Sequence, residues 1–269
     1  MQPLLKVENL VKRYPARPSA RSNDTHVALD GVSLSIASRT TLALVGESGS
    51  GKSTLALCIA SLEPPSSGTI SFEGIDLGTL PENQLRLLRP QIQLVFQDPA
   101  SSLNPRWAAL DIVSEPFLIQ RRFTKPDRAV RALQLLDRVG ISRRMAGRAA
   151  AQLSGGQKQR LAIARALALE PKLLILDEAL SALDCSVQAQ ISNLLLDLQS
   201  SLGLTYLFIT HDFAMAAHVA DQIAVMDRGR IVESGPTKNV MRSPSHEATR
   251  ALLAATPHFH ESPVELVHA

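Results

Sequence analysis

Short runs of apolar, often β-branched residues alternate with helical patterns along most of the chain. Strand-like runs lie at residues 4–10, 32–36, 41–45, 68–72 and 92–96, and a helical repeat over 53–62 puts Leu55, Ile59 and Leu62 on one face. After Pro171 the rhythm resumes, with strands at 173–176, 205–210, 222–227 and 230–233 and helices at 186–202 and 212–219. Strands separated by helices predict an α/β fold with a mainly parallel sheet.

The stretch from residue 98 to residue 169 breaks this rhythm, because its patterns are helical and contain no clear strand. We therefore predict a helical lobe (98–169) inserted into a β-rich core (4–97 and 170–236). The earliest runs favour an antiparallel β portion at the N-terminal end of that core. Residues 237–269 are predicted to form a short C-terminal helix near 247–254, followed by a loose tail.

Composition excludes several classes of protein. The 269 residues are 45% hydrophobic and 20% charged, which is enough apolar material for a core, and 28 Lys+Arg against 25 Asp+Glu give a net charge of +3. No apolar run is long enough to span a membrane, and Lys6 and Glu8 come too early for a signal core, so we expect a soluble, unexported protein. Cys58 and Cys185 have no metal-ligand spacing, and we expect Cys185 to be a packing residue.

A glycine-rich loop follows the predicted strand 41–45 and precedes a helix. It matches G-x-x-x-x-G-K-[ST], a pattern that binds the phosphates of nucleoside triphosphates. Glycines let backbone N–H groups approach phosphate oxygens, and the helix N-terminus favours the same anion. Lys52 would neutralise phosphate charge and Ser53 would ligate Mg²⁺. The predicted phosphate-binding residues are Gly46, Glu47, Ser48, Gly49, Ser50, Gly51, Lys52, Ser53 and Thr54.

Two carboxylates end the apolar strand 173–176. In a parallel sheet such a strand places Asp177 and Glu178 at the carboxyl edge, where ligands bind. We predict that Asp177 is a partner of Mg²⁺ and that Glu178 is the general base for an attacking water. The alternative is that these acids cap a following helix.

Polar side chains also follow two other predicted strands. His211 comes after strand 205–210 and is positioned to hydrogen-bond a γ-phosphate, although a histidine at a strand end is more often structural. Gln97 comes after strand 92–96, and its side-chain oxygen is a candidate ligand of Mg²⁺ or of the water. A solvated turn amide is the alternative for Gln97.

A second glycine motif lies in the predicted helical lobe. Ser154, Gly155, Gly156 and Gln157 precede a strong helical pattern over 158–169, so their N–H groups and the helix dipole make another anion site. Two anion-binding ends in separate lobes are explained if each serves a different nucleotide, shared across a dimer. An ordinary helix N-cap is the alternative.

Taken together, these motifs resemble those of the ATP-binding cassette (ABC) family of transporter ATPases over roughly residues 4–255. GESGSGKST resembles the Walker A loop, LLILDE the Walker B strand, and LSGGQ is identical to the family signature. Gln97 matches the Q-loop, SALD at 181–184 the D-loop, and His211 the switch histidine, while Tyr14 stands where the family has an aromatic that stacks on adenine. The resemblance implies a head-to-tail dimer in which each ATP, with Mg²⁺, is held by the Walker A loop of one chain and residues 154–157 of the other.

One branch of that family matches more closely. VFQDPASSLNPR at 95–106, SVQAQ at 186–190 and SPSH at 243–246 resemble the oligopeptide, dipeptide and nickel importers, although Ala179 and Cys185 replace the usual Pro and Val. The resemblance implies an ATPase subunit at the cytoplasmic face of the inner membrane. Its expected partners are two transmembrane permease subunits, a second ATPase subunit and, indirectly, a solute-binding protein.

Two rival functions remain open. Nine Lys or Arg residues lie between residues 121 and 148. They are consistent with a soluble cassette acting on nucleic acid, but we favour a solvated surface near an anionic membrane and expect no nucleic-acid partner. The other rival is a non-catalytic cassette, and the presence of Lys52, Asp177, Glu178 and His211 argues against it.

Overall fold

A computed structural model describes residues 2–15 and 25–255. The strands are β1 (Leu5–Tyr14), β2 (His26–Ile36), β3 (Thr41–Val45), β4 (Ser67–Phe72), β5 (Ile75–Asp76), β6 (Ile92–Val95), β7 (Leu173–Asp177), β8 (Thr205–Thr210), β9 (Gln222–Asp227) and β10 (Arg230–Pro236). The helices are α1 (Lys52–Ile59), α2 (Glu82–Leu88), α3 (Pro99–Ser102), α4 (Ala109–Ile119), α5 (Lys125–Arg138), α6 (Gly155–Leu167), α7 (Cys185–Leu202), α8 (Phe213–Val219), α9 (Thr237–Arg242) and α10 (Glu247–Ala255).

The N-terminal strands form a four-stranded antiparallel sheet in the order β2-β1-β4-β5. Leu5, Val7 and Leu10 point inward from β1 and are buried, while the residues between them are exposed or half-buried. This alternation is expected of a sheet with one face in the core. The predicted antiparallel portion is therefore confirmed.

The second sheet has the order β10-β9-β3-β8-β7-β6 and is parallel except for the pair β9–β10. Every residue of β3, β7 and β8 is buried, which explains their continuous apolar sequences. Because β3, β6, β7 and β8 run in the same direction, their carboxyl ends lie along one edge of the sheet. The polar residues that follow them are brought together at this edge.

Helices α3 to α6 occupy the stretch predicted to be a helical lobe. Within this stretch, an isolated β-bridge joins Ala108 and Ala149. Their apolar side chains share one buried cluster with β7 and α7, including Ile163, Leu176 and Ile191. The lobe therefore packs directly on one face of the main sheet. Its boundaries at 98 and 169, like the other domain limits, remain predictions.

Several sequence-based expectations need correction. Helix α1 ends at Ile59, because Ser61 adopts a left-handed backbone conformation with φ of 54°, and Leu62 is 54% exposed instead of sharing the buried face. Cys185 is exposed in the first turn of α7, so it is not a packing residue. The short helices α2 and α9 were not predicted. Helix α10 confirms the C-terminal helix, while the predicted tail from residue 256 lies outside the described residues.

Candidate functional site

The loop between β3 and α1 leaves no space for side chains at two of its glycines. A β-carbon at Gly46 would lie 2.2 Å from the carbonyl oxygen of Met226, and one at Gly51 would lie 2.5 Å from that of Ala28. Gly51 also has φ of 110°, which L-residues rarely adopt. The loop is thus held against the β9–β10 turn, where the N–H of Gly229 donates to the carbonyl of Ser50. The sequence did not reveal this support.

Lys52 is buried beneath this loop. Its ammonium donates to the carbonyl oxygens of Gly46 at 2.8 Å and Glu47 at 2.9 Å, and lies 3.6 Å from a carboxylate oxygen of Glu178. Burial lowers the pKa of Lys52, while Glu178 and Asp177 act in the opposite direction. The lysine therefore joins the glycine-rich loop to the acidic end of β7.

Asp177 ends β7 and faces the first turn of α1. Its carboxylate accepts a hydrogen bond of 3.0 Å from the hydroxyl of Ser53. Burial raises the pKa of Asp177, and the hydrogen bond from Ser53 partly offsets this effect. A hydroxyl and a carboxylate side by side are hard oxygen donors, which is the chemistry that Mg²⁺ prefers.

Glu178 has an unusual backbone conformation for a glutamate, with φ of 46°. Its N–H donates to the carbonyl of Ile209 at the end of β8, and its own carbonyl accepts from the N–H and hydroxyl of Ser181. These bonds aim its side chain at Lys52. Neither Asp177 nor Glu178 caps a helix, so the alternative considered from the sequence is wrong.

Gln97 and His211 both approach Glu178. The amide nitrogen of Gln97 donates to a carboxylate oxygen of Glu178 at 3.1 Å and lies 3.4 Å from the hydroxyl of Ser181. Nδ1 of His211 lies 3.8 Å from the same carboxylate oxygen, and the imidazole is about half exposed. The structure thus brings four sequence-predicted residues, Lys52, Gln97, Glu178 and His211, to one point, and adds Ser181.

Tyr14 lies at the end of β1 in the antiparallel sheet. The ammonium of Lys12 lies 4.9 Å from the centre of its ring. Lys12 is itself buried and donates to Glu63 and to the carbonyl of Pro64. One face of the ring is therefore occupied by a cation that is fixed in place.

The predicted second anion-binding end lies at the start of α6. Ser154 caps this helix by accepting from the N–H of Gln157, and the side chain of Gln157 accepts from the N–H of Ser154. Within residues 2–15 and 25–255, no hydrogen bond or ion pair joins residues 154–157 to the glycine-rich loop. The N-cap expected as the alternative is therefore present, and it leaves the exposed helix end available to an anion.

The side chains of this site have the chemistry to hold the phosphates of a nucleoside triphosphate. The hydroxyl of Ser50 is buried and has no hydrogen-bond partner among the described residues, and the ammonium of Lys52 lies against the loop carbonyls of Gly46 and Glu47. No cluster of three or more His, Cys, Asp or Glu residues suited to a metal occurs in the described part of the chain.

Comparison with known proteins identifies the family. Residues 29–181 match the family described as ABC transporter. A probable peptide ABC transporter ATP-binding protein of Sinorhizobium fredii is 48% identical over 94% of this chain and 72% of its own length. The dipeptide transport ATP-binding protein DppF of Escherichia coli is 45% identical over 95% and 77%. The oligopeptide transport protein OppD of Mycobacterium tuberculosis is 48% identical, but this chain spans 42% of it.

Solved structures agree with this result. An ATP-binding cassette in a dimeric post-hydrolysis state with ADP and Pi has a TM-score of 0.77 at 32% identity, covering 87% of this chain and 98% of that chain. The cassette cbiO1 of Clostridium perfringens, part of an ABC transporter complex, has a TM-score of 0.78 at 31% identity, covering 90% and 92%. The fold and the site define an α/β nucleotide-binding ATPase. The chain belongs to the ABC transporter family and is an ATP-binding ATPase of that family.

Proposed function

We propose that this chain is the ATP-hydrolysing subunit of an importer for peptides or nickel-type solutes. The observation that carries the proposal is the convergence of Lys52, at the start of α1, with Asp177 and Glu178, at the end of β7, beside the glycine-rich loop. The reaction is ATP + water → ADP + phosphate. Peptide import is supported by the names of the relatives, which refer to peptide, dipeptide and glutathione transport. Nickel rests on the sequence resemblance alone.

The residues divide the chemical work as follows. The N–H groups of the loop and Lys52 bind the β- and γ-phosphates, and the carbonyl and carboxylate contacts of Lys52 are those that phosphate oxygens replace. Glu178 accepts a proton from the water whose oxygen attacks the γ-phosphorus, while the bond to the ADP oxygen breaks. His211 and Gln97 orient this water and the γ-phosphate around Glu178.

Ser53, Asp177 and Gln97 are the proposed holders of Mg²⁺. When bound, Mg²⁺ would supply positive charge to the phosphate oxygens of ATP. Ser53 and Asp177 already face each other at 3.0 Å, and Asp177 must be ionised to serve as a ligand. Tyr14 offers the ring face opposite Lys12 to the adenine.

The proposed assembly follows from the separation between the phosphate loop and the second anion-binding end, residues 154–157. In a head-to-tail dimer, residues 154–157 of one chain face the phosphate loop of the other, so each nucleotide is held from both sides. The second ATPase is a copy of this chain or a related chain. Two permease subunits at the cytoplasmic face of the inner membrane are the further partners, and a solute-binding protein delivers the cargo. Within the described residues no helix is long and apolar enough to cross a membrane.

The alternative function, a cassette acting on nucleic acid, receives no support from the relatives, which are named as transport subunits. The arginines near α5 are also engaged in part with the protein itself. Arg131 stacks on Phe123 at 3.9 Å, and Arg143 pairs with Asp137 at 3.1 Å.

Replacing Glu178 tests the proposal. Glu178→Gln keeps the size of the side chain but removes the proton acceptor, so we expect ATP binding to persist and hydrolysis to slow by about 10²–10⁴-fold. Glu73→Gln, at an exposed carboxylate paired with Lys172, is the matched control and should retain the wild-type rate. Near-normal turnover in Glu178→Gln would remove Glu178 from its role.

A further inference from the structure

The N-terminal turn of α6 packs against a side chain from α7 where no β-carbon can fit. A β-carbon at Gly156 would lie 2.5 Å from Cγ1 of Val187, whereas one at Gly155 would lie 3.3 Å from Cδ2 of Leu183. The first distance is far too short for any real contact. The missing side chain at Gly156 therefore leaves a notch, and the Cγ1 methyl group of Val187 fills it. This contact fixes the position of the start of α6 relative to α7.

Val187 is rigidly connected to the strand end that carries Glu178. Its N–H donates to the carboxylate of Asp184, which caps α7 at 2.9 Å. The side-chain amide of the next residue, Gln188, donates to the carbonyl of Leu180 at 3.0 Å. The hydroxyl of Ser181 donates to the carbonyl of Glu178 at 2.9 Å. Successive short hydrogen bonds thus brace the segment 178–188 from end to end.

We infer that Val187 is a positioning residue that transmits the state of the chain's own nucleotide site to its second anion-binding end. Lys52, Gln97 and Glu178 contact one another directly, so phosphate oxygens that draw Lys52 away also change the surroundings of Glu178. The braced segment carries this change to Val187. The contact between Val187 and Gly156 then carries this change to residues 154–157, which bind the partner's nucleotide.

This inference rests on the proposed function and extends it. It explains why valine stands at position 187 and why glycine stands at position 156 of the LSGGQ motif. Binding of an anion by backbone N–H groups does not by itself require glycine at position 156. The coupling is internal to one chain. It can therefore be measured on the full chain at a concentration where light scattering shows a monomer, without a partner nucleotide touching residues 154–157.

The measurement is amide hydrogen exchange over residues 154–160 with and without ATP and Mg²⁺. In the wild type, nucleotide binding should change the exchange of this segment. In Val187→Ala, which empties the notch, we expect nucleotide affinity within about twofold of wild type and a response reduced by about 2- to 30-fold. Val187→Thr keeps the shape of the side chain and should preserve the response.

Two further variants separate positioning from general loosening. Leu194→Ala removes a partly buried side chain of the same cluster later in α7 and should keep the response. Gly156→Ala should disturb the segment because of the short contact, and the double variant with Val187→Ala should recover part of it. A full response in Val187→Ala, no response in the wild type, or an equal loss in Leu194→Ala would each overturn the inference.

The proposed function is judged separately. Lys52→Ala should lose nucleotide binding itself. If the wild type fails to bind ATP, the proposed function fails. If binding is normal but the exchange of residues 154–160 does not depend on Val187, only this inference fails.

Discussion

Gly46 and Gly49 belong to the same phosphate-binding loop, but the structure constrains them differently. A β-carbon at Gly46 meets the carbonyl oxygen of Met226 at 2.2 Å, and that carbonyl belongs to a buried strand that cannot easily move. A β-carbon at Gly49 meets nothing within 4 Å among the described residues, so what opposes a side chain there is its φ of 83°. One position is limited by space and the other by backbone conformation.

These two glycines therefore make a matched pair of substitutions. Gly49→Ala should cost roughly 1–2 kcal/mol of backbone strain. Gly46→Ala should displace the loop from β9 and lower nucleotide affinity by at least about tenfold more than Gly49→Ala. Titration with a fluorescent ATP analogue and thermal unfolding of both variants measure the two effects. Equal losses of affinity would show that support by Met226 does not matter.

At the same scale, the sequence located most of the site's side chains but not their mutual contacts. The strand end and the nearby phosphate loop predicted Asp177 and Glu178, because parallel strands bring their carboxyl ends to one edge. Gln97 and His211 also follow strands, but their roles were predicted only from the resemblance to the ABC family. The sequence did not show that Ser181 would fix the backbone of Glu178. That contact depends on a left-handed residue in a short turn, and no local pattern predicts a left-handed glutamate.

At the scale of elements, continuous apolar runs were predicted best. The limits of β3, β8 and β9 match the sequence-based ranges, since each strand is an uninterrupted or nearly uninterrupted buried segment. Helix α2 was missed because none of its residues is buried, so its apolar periodicity is weak. Helix α9 was missed because its six residues are too few to show a period.

Helix α10 is anchored by one carboxylate of the neighbouring strand β10. Glu233 accepts hydrogen bonds from the N–H groups of Ser245 and His246 and from the hydroxyl of Thr249, at 2.9, 3.0 and 2.6 Å. Burial acts to raise the pKa of Glu233, but these donors outweigh it and lower the pKa to about 2. The SPSH motif thus supplies backbone donors that fasten the C-terminal helix to the main sheet.

A pH dependence follows from this anchor. Because the pKa of Glu233 in the folded chain is below its ordinary value of 4.5, the stability that it contributes is present above pH 4.5 and is lost as the pH falls toward 2. Glu233→Gln places an amide NH₂ among donors, so it should lower the melting temperature at pH 7. The difference from wild type should shrink between pH 5 and about 2.

Differential scanning calorimetry across that range measures the Glu233 effect. Glu8→Gln removes an exposed carboxylate that pairs with Lys6, and it should show a much smaller difference at pH 7. A Glu233→Gln chain that melts like the wild type at pH 7 would mean that α10 is held by its apolar contacts, Leu252 and Leu253 among them, without help from the carboxylate.

At the scale of the whole molecule, the two anion-binding ends determine how the protein must work. The phosphate loop follows β3 and residues 154–157 begin α6, and no hydrogen bond joins the two in the part of the chain that the structure describes. A single chain would hold the nucleotide at its phosphate loop alone. It would lack the donors that residues 154–157 of a second chain provide. Under the proposed head-to-tail assembly, hydrolysis should depend on two chains meeting, and ATP should favour the closed pair because both ends would bind it only there.

Ser154→Arg tests this dependence directly. The arginine adds bulk at the helix end that faces the partner's nucleotide, so hydrolysis by the assembled ATPase should fall by at least about 10²-fold. ATP binding to the isolated chain should stay within about twofold, because the phosphate loop is untouched. Ser142→Arg, at an exposed serine of the same lobe before a short 3₁₀ turn, is the matched control and should change neither quantity. Loss of ATP binding by isolated Ser154→Arg chains would place both ends in one site and exclude a site shared between two chains.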